Sequence, residues 1–162
     1  MTMKLNEAPV ATAGMLIRRA PIDVYEAFVD SAITTKFWFS DGSDRLDAGR
    51  PVIWTWAMYG VSTRVEVKEL LPGKKILIEW DTGTEEVSTV EWIFSDRGGN
   101  TFVEVRNFNL KGDADAQVLR AIDSAGGFAL VLAGAKAWLE QGIELNVVRD
   151  RHPDMLVEGW KD

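Results

Sequence analysis

The sequence predicts an α+β domain in which a curved antiparallel sheet of about six strands wraps around one long C-terminal helix. Two observations carry that expectation. From Asp115 to Gly142 apolar residues recur at helical spacing. From Val52 to Asn107 apolar and polar residues alternate in short runs separated by Gly and Pro turns, with no helical segment between the runs.

The helix is the organising element. Val118, Leu119, Ile122, Ala125, Ala129, Leu132, Ala133 and Lys136 form its repeat, and Phe128, Val131, Trp138 and Leu139 widen the stripe. At the standard rise it is about 42 Å long, enough to cross the concave side of a sheet. Gly126, Gly127 and Gly134 sit inside the pattern, each costing roughly 1 kcal/mol against Ala. Small residues there serve either ligand space or close packing on a strand. Gly142 ends the helix.

Residues 1–12 read as a mobile arm or an added edge segment, followed by a first strand at Met15–Ile17. Pro21 opens a short helix with Ile22, Tyr25, Phe28 and Val29 on one face, and Ser31 is placed as cap of a second one running to Phe37. Phe37-Trp38-Phe39 wedges this pair against the sheet, with Trp38 taken as the one that reaches a pocket. Ser40 to Gly49 reads as a turn, because Arg45 and Leu46 break the ligand spacing of a calcium loop. Inward rows follow: Val52, Trp54, Trp56, Met58; then Val61, Thr63, Val65, Val67; then Ile76, Ile78, Trp80; then Val90, Trp92, Phe94; then Thr101, Val103, Val105, Asn107. Pro72-Gly73, Gly83 and Gly98-Gly99 mark the turns. Arg64, Arg106, Glu79, Glu91 and Glu104 fall on the outer face, where they are solvated decoration. Leu145, Val147 and Val148 make residues 143–162 an extension packed on the domain, which docks on a sheet edge, caps a cavity mouth or meets a second copy.

At 162 residues the chain is long enough for a single domain with its own core. It has no cysteine, which excludes disulfides and thiolate chemistry and fits a cytoplasmic location. A net charge of −7 without a basic cluster argues against nucleic acid and anionic membranes. The apolar run Phe128–Leu139 is short and interrupted by Lys136, so no membrane span is expected. His152 is the single histidine and has no evident partners for a metal site or a triad. Neither Gly pair lies between a strand and a helix, so no phosphate cradle and no cofactor are expected.

Arg19-Ala20-Pro21-Ile22-Asp23-Val24-Tyr25-Glu26-Ala27-Phe28, Lys36-Phe37-Trp38-Phe39, Val65-Glu66-Val67, Ile78-Glu79-Trp80, Gly126-Gly127-Phe128 and Leu139-Glu140-Gln141-Gly142-Ile143 carry a resemblance. With the element order, they make the chain similar to the START-like helix-grip superfamily, in the branch named after activator-of-heat-shock-protein-ATPase homologues. The resemblance covers most of the chain. It implies a cavity between sheet and long helix that takes small apolar molecules, and it supplies no catalytic signature.

Seven tryptophans are a heavy use of flat side chains in so small a domain. Trp54, Trp56, Trp80 and Trp92, with Trp38, Phe128 and the inward carboxamide of Asn107, are the candidate ligand-binding residues. The expected function is non-catalytic binding of a small hydrophobic or aromatic molecule, lipid included. A cyclase- or dehydratase-like enzyme using Asn107 and Tyr25 is the alternative, and a chaperone-ATPase-regulating module is a third. A homodimer is a candidate assembly.

Overall fold

In the computed structural model, which describes residues 4–161, seven strands form one antiparallel sheet. They are β1 (Ala11–Ile17), β2 (Asp41–Gly42), β3 (Val52–Trp56), β4 (Val61–Leu71), β5 (Lys75–Trp80), β6 (Ser88–Arg97) and β7 (Asn100–Phe108). The helices are α1 (Pro21–Val29), α2 (Ser31–Thr34), α3 (Ala114–Gln141) and α4 (Val147–Arg151). The spatial order is β1-β7-β6-β5-β4-β3-β2. β2 to β7 therefore form a meander, while α1 and α2 carry the chain from β1 at one edge to β2 at the other. This is the helix-grip α+β architecture.

Turn chemistry sets the register. Gly98 and Gly99 take positive φ of 65° and 89° between the paired residues Arg97 and Asn100, as a two-residue hairpin requires. Gly73, at φ 72°, follows Pro72 in a turn that Lys74 N–H closes onto the Leu71 carbonyl at 2.9 Å. Asp113 caps α3 by accepting from Ala116 N–H at 2.9 Å, and Gly142 ends it in the left-handed region.

The core is aromatic at its centre and aliphatic around it. Ile17, Val65, Ile76, Ile78, Val90 and Val103 are fully buried on the inner face. Phe28 from α1 meets Phe37 edge to face at 5.4 Å, and Phe39 stacks on Trp54 at 4.7 Å. The three-aromatic segment thus wedges the short helices against the sheet.

Several expectations need correction. β1 begins at Ala11, which pairs with Asn107, so residues 11 and 12 belong to the sheet edge, as the edge-segment alternative has it, rather than to an arm; residues 1–3 lie outside the described residues. The sheet has a seventh strand, because Asp41 and Gly42 pair with Thr55 and Trp54 inside the segment read as a turn. Asp30, not Ser31, caps α2 by accepting from Ala32 N–H at 3.0 Å, and α2 stops at Thr34. β3 ends at Trp56, and Met58 lies in the following 3₁₀ turn, Ala57–Tyr59. Val61 is exposed rather than inward, and Val67 is half-buried beside a register shift between Val67 and Glu69.

The helix stripe is divided. Phe128, Val131, Leu132 and Ala135 are buried, whereas Leu119 and Ile122 are 68% and 66% exposed. By length and composition alone α3 could also cross a membrane; here its C-terminal half is committed to the sheet. The extension after α3 folds back. Tyr59 O–H donates to the carbonyls of Val148 and, at 3.0 Å, Arg149, and Val157 N–H donates to the Met58 carbonyl at 2.9 Å.

Candidate ligand-binding cleft

Three strand ends and one helix face converge on a cleft of about 310 Å³. Register places Trp80 of β5 opposite Ser88 of β6, and Val90 of β6 opposite Asn107 of β7. Across from them, Ser124 and Phe128 lie one turn apart on α3 and line the same space. Trp80 stacks on Phe128 at 5.6 Å, and Trp38 meets Phe128 edge-on at 5.6 Å. Val148 of α4 supplies part of another wall.

A polar chain runs beside the rings. Trp80 Nε1–H donates to Ser88 Oγ at 2.8 Å, Asn107 Nδ2–H donates to Ser88 Oγ at 3.0 Å and to the Thr89 carbonyl at 2.8 Å, and Ser124 O–H donates to Asn107 Oδ1 at 2.9 Å. The carboxamide that the sequence places in the inward row therefore finds its partners inside the chain. Asp81 follows Trp80 with φ 54°, and it is held reciprocally by Thr63: its N–H donates to Thr63 Oγ1 and its carboxylate accepts from the Thr63 O–H, both at 2.8 Å. That pairing fixes the end of β5. At the rim Arg120 of α3 pairs with Glu86, and Arg151 of α4 lies 3.4 Å from Asp123.

Residues 19–140 match the family model of activator of Hsp90 ATPase homolog 1-like protein. The chain belongs to that family. No curated protein matches it. Solved structures with the same fold include SSP2350 from Staphylococcus saprophyticus, at 21% identity and TM-score 0.70, covering 85% of this chain and 96% of that one. The Aha1 dimer from Colwellia psychrerythraea matches at 20% identity and TM-score 0.68, covering 83% and 98%. DynU16, from the dynemicin biosynthetic locus, matches at 16% identity and TM-score 0.71, covering 83% of this chain and 48% of that one.

Within this AHSA1-like chain the expected site residues separate into three groups. Trp38, Trp80, Asn107 and Phe128 line the cleft. Trp56 lies in an adjoining groove with Tyr59, Thr63 and Trp80. Trp54 and Trp92 are each 1% exposed in the solid core, Trp54 under Phe39 and Trp92 edge-on to Phe128 at 6.0 Å. An enclosed space ringed by all four inward tryptophans is thus not what forms. Trp38 stands among them, 5.0 Å from Trp54, 6.1 Å from Trp56, 6.3 Å from Trp80 and 6.0 Å from Trp92, with Phe28 and Phe39 packed against it, so open volume remains at the strand ends.

Ser88, Ser124, Glu86, Arg120 and Arg151 were not among the expected residues, yet they border the cleft, and Val148 borders it as the cavity-capping alternative for the extension has it. Ser124 was legible as the residue one turn before Phe128. Alternation from Val90 places Ser88 on the inner face, but its position opposite Trp80 depends on the length of the loop between them, which alternation does not fix. The glycines resolve by neighbour: a Cβ on Gly126 would lie 3.0 Å from Arg151 Nη2, and one on Gly134 3.1 Å from Phe37 Cβ, so both serve close packing. Gly127 borders the cleft.

Tyr25 stands apart from the cleft, buried edge-to-face against Phe94 at 5.8 Å. Burial raises its phenol above the ordinary value, and the Asp47 and Glu26 carboxylates add to that. Among the described residues there is no group of three or more His, Cys, Asp or Glu arranged to hold a metal ion.

Proposed function

We propose that this AHSA1-like chain is a binding protein that holds a small hydrophobic or aromatic molecule in the cleft between sheet and α3 without transforming it. The observation that carries this reading is the Trp80–Phe128 stack with Trp38 beside it, a flat aromatic wall next to the Trp80–Ser88–Asn107 hydrogen-bond chain. Aromatic faces of this kind bind rings and apolar chains. The nearby carboxylates are engaged: Asp81 by Thr63, Glu86 by Arg120 and Asp123 by Arg151. That favours binding over general acid–base work. The DynU16 neighbour, from a biosynthetic locus, is consistent with an organic small molecule as occupant.

A screen of lipids and aromatic metabolites, followed by tryptophan fluorescence and thermal unfolding, tests the reading. A ligand at a hundred times its Kd stabilises the fold by about 2.7 kcal/mol. Absence of any fluorescence change or stabilisation across all classes would overturn the proposal, and turnover of a bound compound would replace it with the cyclase-like alternative. For assembly, the dimeric Colwellia neighbour supports a homodimer, which sedimentation of the full chain tests directly.

A further inference from the structure

Ser88 holds a hydroxyl proton for which the chain provides no acceptor among the described residues. Its Oγ receives two hydrogen bonds, from Trp80 Nε1–H at 2.8 Å and from Asn107 Nδ2–H at 3.0 Å. The indole nitrogen can only donate. The Asn107 amide is also fixed as donor, because the same Nδ2 serves the Thr89 carbonyl at 2.8 Å, where a reversed amide would set oxygen against oxygen. A hydroxyl has two acceptor lone pairs and one proton, so both lone pairs are used and the proton must point elsewhere. Ser88 is 6% exposed and borders the cleft.

Among the hydroxyl and carboxamide groups that line the cleft, no other proton is left over. Ser124 gives its proton to Asn107 Oδ1, and Arg120 and Arg151 face Glu86 and Asp123. We propose that Ser88 is the specificity-determining donor of the cleft, selecting flat aromatic ligands that bring a neutral carbonyl oxygen to its hydroxyl while their rings lie against Trp80 and Phe128. The inference rests on the binding function proposed above. A neutral acceptor is favoured over an anion because Asp81, Glu86 and Asp123 outnumber the two rim arginines. A ligand without the oxygen leaves a buried O–H unpaired, and sites that read a polar group discriminate through that penalty.

The test compares 2-acetylnaphthalene with 2-isopropenylnaphthalene, in which a CH₂ group replaces the oxygen, by isothermal titration calorimetry on the full chain. The ketone is expected to bind about ten-fold more tightly, the size of one buried hydrogen bond. Ser88→Cys keeps a weak acceptor for Trp80 and Asn107 but is a poor donor, so the preference should fall to about two-fold or less. The carbonyl stretch of the bound ketone should move to lower frequency in the wild type and return toward its free position in the variant. Equal wild-type affinities overturn this inference alone. Failure of both compounds to bind also overturns this inference, and the binding function is then decided separately by the lipid and metabolite screen. An undiminished preference in Ser88→Cys assigns the oxygen to another donor and overturns the role of Ser88. Should the variant not fold, the wild type alone decides: a carbonyl band that stays at its free position on binding overturns the role of Ser88.

Discussion

Trp80 on β5 and Phe128 on α3 lie nearly parallel, 23° between planes and 5.6 Å between centroids, so the wall of the cleft is also a joint between sheet and helix. Phe128 further touches Trp38 and Trp92. Phe128→Ala should therefore lose about 3–5 kcal/mol, the usual cost of emptying a buried aromatic site. Urea unfolding measures the loss. A cost near zero would mean that the stack is not formed in solution.

The Asn107 amide makes three bonds and Ser124 one. Asn107→Ala should cost about 1–3 kcal/mol, since it strands the buried Thr89 carbonyl and the Ser124 hydroxyl. Ser124→Ala removes a single bond at a half-buried position and should cost about 1 kcal/mol or less. Equal losses in the two variants would argue against the network.

Strand faces were legible because a period of two leaves little choice: Ile76, Ile78, Val90, Trp92, Val103, Val105 and Asn107 all point inward as alternation dictates. Which tryptophans border open space was not legible. That depends on how far Trp38, with Phe28 and Phe39 beside it and all three from outside the meander, fills the bowl. Likewise, helical spacing assigns Leu119 and Ile122 to an apolar stripe but cannot say where the sheet beneath it ends. β2, at two residues, is too short to show a period.

The glycines of α3 give opposite expectations. At Gly126 the atom in the way is the end of the Arg151 side chain, which can move, so Gly126→Ala should gain up to about 1 kcal/mol from helix propensity while loosening the Arg151–Asp123 pair. At Gly134 a Cβ meets Phe37 Cβ at 3.1 Å and the Phe37 carbonyl at 3.3 Å. Backbone yields less, and Gly134→Ala should lose about 1–3 kcal/mol. Thermal unfolding of both variants decides, and a shared sign would contradict the contrast.

Glu140 links helix and first strand. It accepts from Lys136 Nζ at 2.6 Å and from Arg18 N–H at 2.9 Å, and Lys136 also donates to the Leu16 carbonyl at 2.8 Å. Burial pushes the Glu140 carboxyl up, but the Lys136 and Arg18 interactions outweigh it and hold the group below its ordinary range. A depressed carboxyl stabilises the fold above its unfolded pKa, about 4.3, and that contribution is lost as pH falls through the lower folded value. Glu140→Gln should therefore be less stable than wild type at pH 7, with the gap closing in acid. Denaturation midpoints from pH 7 down to 3 measure it; a gap that widens in acid would reverse the assignment.

Tyr59 anchors the extension through the carbonyls of Val148 and Arg149. Tyr59→Phe should speed amide hydrogen exchange in α4 and leave the central strands β5 and β6 unchanged. Uniform acceleration would instead indicate global destabilisation.

The family match stops at residue 140, whereas Val148 lies beyond it and still borders the cleft. Floor and side panel thus come from different stretches of the chain. The matched stretch contains the aromatic bed but not one of its partitions. Grafting a different tail onto the same grip is a route to retuning what the recess admits while leaving the sheet untouched.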